Sequence, residues 1–73
     1  MNRMKDKPFA IWLRVEIAKS GLRQFDIAER IGIGKSTISM WVAGRSKPRS
    51  IVHIRNVASL FGSSEQQVRE LLK

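Results

Sequence analysis

The sequence predicts an all-α domain of five short helices, on three observations. Apolar residues recur at helical spacing in separate blocks, as in Phe9, Leu13 and Ile17. Gly21, Gly32, Gly44 and Gly62 follow these blocks, where helices stop. The chain has 73 residues, which allows one domain with a small core.

Residues Met1 to Lys7 are polar and basic, with nothing periodic to bury. They are expected to form a flexible arm, with the domain proper over residues 8–73. The first helix is expected over Pro8 to Lys19. Proline suits the first turn because its missing N–H is not needed there, and Asp6 can cap from just upstream. Phe9, Leu13 and Ile17 form the core stripe, with Trp12 beside it. Ile11 and Val15 fall on a second face, which is expected to be covered within the molecule. Ser20-Gly21 ends this helix, and Leu22 returns to the core.

The segment from Gln24 to Gly44, QFDIAERIGIGKSTISMWVAG, reads as two short helices joined by a tight turn. The first runs from Gln24 to Ile31, with Phe25, Ile27, Ala28 and Ile31 as its apolar positions. Ala28 sits where two helices must approach closely, Gly32 supplies the turn, and Ile33 plugs the gap. The second runs from Lys35 to Ala43 and turns Ile38 and Trp41 inward, with help from Val42. Lys35, Ser36, Ser39 and Met40 therefore face out. A helical corner with small residues at the contact and glycine in the turn is a helix-turn-helix signature.

Gly44 to Arg49 (GRSKPR) forms a basic loop stiffened by Pro48. Ser50 is expected to cap a fourth helix over Ile51 to Phe61, with Ile51, Ile54, Val57, Ala58 and Phe61 inward and Arg55 and Asn56 outside. Gly62 stops it. Ser63 or Ser64 caps a fifth helix, and Gln66 or Gln67 completes a capping-box pattern. Val68 and Leu71 serve the core, and Leu72 is the candidate for self-association.

Net charge is +8, from 14 Lys and Arg against 6 Asp and Glu, which argues for a polyanionic partner. The absence of cysteine excludes disulfide staples and a zinc–thiolate site. His53 is the only histidine and has no second ligand nearby, so no metal and no cofactor are expected. The carboxylates Glu16, Asp26 and Glu29 fit solvated helix faces, and no nucleophile–base–orienter set is present, which argues against an enzyme. Gly34-Lys35-Ser36 has the tail of a phosphate-binding loop. The full motif needs glycine where Glu29 stands and a preceding strand where the chain is helical, so that reading fails. No apolar run approaches membrane-spanning length, and the N-terminus lacks a signal-peptide core.

Gly21-Leu22-x-Gln24-x-x-x-Ala28, Gly32-Ile33, Ser36-Thr37-Ile38-Ser39-x-Trp41, Gly44 and Pro48 together make the chain similar to the Cro and phage-repressor type of helix-turn-helix domain. Residues 8 to 72 take part. The resemblance implies a compact five-helix, lambda-repressor-like fold of the XRE family. It implies a sequence-specific transcriptional regulator, a repressor on a palindromic operator, acting as a dimer on double-stranded DNA in a bacterial or phage setting. No membrane and no small-molecule ligand are expected, and the place of action is the cytoplasm.

By that resemblance Lys35, Ser36, Ser39 and Met40 meet base edges in the major groove. Gln24 bonds a phosphate from a helix N-terminus, where free N–H groups and the helix dipole favour anions. Thr37, Arg45, Ser46, Lys47 and Arg49 face the backbone, holding register without reading sequence. Arg3, Lys5 and Lys7 can follow phosphates or enter a minor groove. Family members often pair an arginine in the first helix with a glutamate after the tryptophan position; here Ile17 and Val42 stand in those places and are expected to meet. The alternative function is an antitoxin or protein-interaction module on a helix-turn-helix scaffold, which the two-sided apolar first helix favours.

Overall fold

The computed structural model describes residues 7–73. Arg3, Lys5 and the proposed cap Asp6 lie outside the described residues. Five helices follow in order: α1 Pro8–Ser20, α2 Gln24–Ile31, α3 Lys35–Ala43, α4 Ile51–Leu60 and α5 Glu65–Leu71. There is no strand among the described residues.

Local chemistry explains most boundaries. At the end of α1, the Ser20 hydroxyl donates to the Ile17 carbonyl at 2.8 Å and accepts from the Leu22 N–H at 3.0 Å, closing the helix one residue later than expected. At the end of α2, Gly32 takes φ of 91°, a left-handed value that an L side chain rarely adopts. That turn lets the Gly32 and Ile33 N–H groups both donate to the Ala28 carbonyl at 2.9 Å. Helix α4 starts under a Ser50 cap, whose Oγ accepts from the Val52 N–H. It ends at Leu60 rather than Phe61. Ser64 caps α5 by accepting from the Gln67 N–H at 3.0 Å.

The core gathers one face from every helix: Phe9 and Leu13 of α1, Ile27, Ala28 and Ile31 of α2, Ile38 and Trp41 of α3, Ile54, Val57 and Ala58 of α4, and Val68 of α5. Each fully buried aliphatic side chain contributes about 1.5–3 kcal/mol. No charged or polar side chain is buried among the described residues. Aromatic rings tie α1 to α3 and to the residue that follows α4. Phe9 meets Trp41 edge-on at 6.2 Å, and Trp12 meets Phe61 edge-on at 5.7 Å. Ile17 and Val42 are both half-buried against the core, on helices that pack together. His53 is part-buried beside Trp41 at 6.1 Å between ring centroids.

Three expectations need correction, and one apolar position proves to lie outside the core. Ile11 and Val15 stay 42% and 50% exposed, since α5 packs on α4 and on another side of α1. Ile51, expected inward, lies at the mouth of α4 and stays exposed, as does Val52. Phe25 is an apolar position of α2 but not a core one, being 48% exposed. Asn56, expected outside, is part-buried, and its Nδ2 donates to the Ile31 carbonyl at 3.0 Å, closing the end of α2 from α4.

Candidate nucleic-acid interface

The α2–turn–α3 corner is fixed by apolar contacts on one side and left open on the other. Ile38 and Trp41 are buried, which pins α3 by its inner face. Lys35, Ser36, Ser39 and Met40 are all exposed, and Thr37 is half-buried between the two faces. The N-cap of α3 is Gly34, with no side-chain cap, so nothing crowds the end from which Lys35 and Ser36 project. A row of one cation, two hydroxyls and one thioether on an exposed helix can donate to, accept from and pack on base edges.

The start of α2 lies beside this row. The Ser39 hydroxyl donates to Gln24 Oε1 at 3.3 Å, so the first residue of α2 touches the middle of α3. The ammonium of Lys35 lies over the Phe25 ring, 5.5 Å from its centroid. The carboxylate of Asp26, which would repel an anion at this helix end, is drawn back onto Arg23. It accepts from the Arg23 N–H and from Arg23 Nε, both at 3.4 Å.

The loop after α3 supplies the charge. Gly44 is left-handed, with φ of 77°, and lies so close to α1 that a Cβ there would meet Lys7 Cγ at 3.3 Å. Arg45, Ser46, Lys47 and Arg49 are exposed, whereas Pro48 is buried and anchors the loop. Lys47 Nζ donates to the Leu72 carbonyl at 3.1 Å, tying the loop to the end of α5. With Lys7, these residues line a cleft of about 220 Å³.

Pairing elsewhere leaves this surface positive. Among the five described carboxylates, Glu16, Asp26, Glu65 and Glu70 pair with Lys19, Arg23, Arg55, Arg69 and Lys73. None of these cations belongs to the loop. Lys35, Arg45 and Arg49 have no carboxylate partner among the described residues. Among the described residues, the charge of the loop and of the α3 tip is therefore uncompensated where the open face lies.

The sequence reading brought together Lys35, Ser36, Ser39, Met40 and Gln24, which share one surface in the structure. It placed Lys7 in the arm, and the structure sets that residue against Gly44. Two residues escaped it. Phe25 counted only as an apolar position of α2, although its place on the helical wheel already separates it from Ile27, Ala28 and Ile31. Arg14 was passed over: its Nε donates to the Val42 carbonyl at 3.0 Å, bracing the C-terminus of α3 from α1, and no local pattern announces that contact.

No group of three His, Cys, Asp or Glu side chains that could hold a metal occurs among the described residues. No helix among them is long and apolar enough to cross a membrane. Neither a curated protein nor a solved structure matches the chain. The helix-turn-helix family model matches residues 13–66, which takes in all of α2, the turn, α3, the basic loop and α4. With that match over a five-helix fold, the chain belongs to the XRE, lambda-repressor-like family of helix-turn-helix regulators that bind double-stranded DNA.

Proposed function

We propose that the protein is a transcriptional repressor that binds a palindromic operator as a dimer, with α3 in the major groove. Lys35 donates to guanine O6 or N7, Ser36 and Ser39 bond neighbouring base edges, and Met40 packs on a thymine methyl. Gln24, Thr37, Arg45, Ser46, Lys47 and Arg49 hold phosphates. Lys47 keeps two of its three ammonium protons for that purpose after serving Leu72. Arg3, Lys5 and Lys7 are candidates for further phosphate or minor-groove contacts. Leu72 is the candidate dimer contact, and two half-sites would lie about 10 bp apart. Repression would be steric, by occupying promoter DNA. The observation carrying this reading is that the four outward residues of α3 are exposed together beside cations that no carboxylate among the described residues neutralises.

The set lacks Arg, Asn and Gln on α3, the side chains that bond bases bidentately, so DNA shape carries much of the specificity. A second reading, an antitoxin or interaction module, draws on the exposed Ile11 and Val15 of α1. Gel-shift titrations at two salt concentrations separate the two. The DNA reading predicts binding that weakens steeply with salt, and the interaction-only reading predicts none.

A further inference from the structure

Phe25 is set apart from the other apolar residues of α2. Ile27, Ala28 and Ile31 are buried, whereas the Phe25 ring is half in water and outside the core cluster. It is the second residue of α2, and Lys35, whose ammonium lies over it, is the first of α3. The first turn of α2 thus reaches the outward row of α3 twice, through Gln24 to Ser39 and through Phe25 to Lys35.

From this geometry we infer that Phe25 is a positioning residue for sequence recognition, acting on DNA through Lys35. The inference rests on the DNA-binding reading above and on Lys35 as a base reader. A lysine is a point charge on a flexible stem, and it can donate to guanine on adjacent base pairs or slip to a phosphate. The negative face of an aromatic ring attracts an ammonium and gives it a preferred side. With no carboxylate competing for Lys35 among the described residues, the ring is the fixed partner that biases its direction. Part of its conformational freedom is then lost before DNA arrives, and fewer base positions lie within reach.

The test uses duplexes recovered by selection from random DNA, with single-base changes at the position that Lys35→Ala relaxes. Phe25→Ala should lower the preference for the best base there by about three- to fivefold, a size fitting an exposed cation–π contact. Its binding to random duplex should stay unchanged. Phe25→Trp should retain the preference. In the Lys35→Ala background, Phe25→Ala should have no further effect. Melting temperatures of the variants confirm that each is folded, as expected for a ring outside the core.

Two results overturn the inference alone. One is Phe25→Ala leaving the preference intact while Lys35→Ala removes it. The other is Phe25→Ala weakening all duplexes equally, which makes the ring a backbone contact. If Lys35→Ala changes no base preference, the base-reading role of Lys35 fails together with this inference. If selection enriches no duplex at all, the sequence-specific reading fails with them.

Discussion

The Ser39 hydroxyl donates to Gln24 Oε1 across 3.3 Å, so a residue on the outer face of α3 holds the side chain at the start of α2. With its oxygen occupied and no acceptor for its N–H groups among the described residues, the Gln24 amide can turn them to a phosphate. Ser39→Ala removes that restraint. It should weaken DNA binding about two- to fivefold, the size of one modest hydrogen bond. Gln24→Ala on top of it should weaken binding further, because the phosphate bond of the Gln24 amide outlives its restraint, but by less than Gln24→Ala does alone. Titrations of the two single variants and the double variant check this.

Asn56 is the link between α4 and the end of α2. Its amide is the donor to the Ile31 carbonyl, in a part-buried place where water substitutes poorly. Asn56→Ala should cost about 1–2 kcal/mol, read as a lower midpoint in urea denaturation. At this chain length each kcal/mol lowers the melting temperature by about 4–8 °C. DNA affinity of the folded fraction should stay near that of the unchanged protein.

Gly32 and Gly34 flank Ile33 but bear different constraints. A Cβ at either would meet nothing within 4 Å, so space is not the issue. Gly32 has φ of 91°, and Gly32→Ala should cost about 1–2 kcal/mol through backbone strain. Gly34 has φ of −78° and caps α3 without a side chain, so Gly34→Ser should stabilise the fold by a few tenths of a kcal/mol. Thermal denaturation of the two variants should show opposite signs.

Arg45 and Arg49 have no carboxylate partner among the described residues, and Lys47 is shared with Leu72. Alanine at Arg45 or Arg49 should each lower the slope of log affinity against log salt by about 0.9, with stability unchanged. Lys47→Ala should lower the slope and also loosen the end of α5, costing about 0.5–1 kcal/mol. Affinity measured across a salt series, beside urea midpoints, separates the two behaviours.

Much of the fold was legible because glycine and apolar spacing agree. The bounds of α2 and α3 follow from the Gln24 to Gly44 pattern with no adjustment. Periodicity fails where two faces of one helix are both apolar. Nothing in the spacing of Ile11 and Val15 says whether a neighbour covers them. Helix α5, of seven residues at 1.5 Å each, is about 10 Å long and has its partners elsewhere. The exposed face of α3 was legible from Ile38 and Trp41, since burying those two leaves Lys35, Ser36, Ser39 and Met40 outside. Contacts to a backbone carbonyl were not. Asn56 to Ile31 and Arg14 to Val42 join residues 25 and 28 positions apart, and their partners become defined only once the helices are packed.

Selection of bound duplexes from random DNA, run in parallel with the unchanged protein and with Lys35→Ala, tests the placing of α3 in the major groove most directly. The expected result is a recurring palindrome with half-sites about 10 bp apart, in which Lys35→Ala relaxes one base position per half-site. Recovery of no common sequence, or of the same sequence after Lys35, Ser36, Ser39 and Met40 have each been changed to alanine, would contradict it.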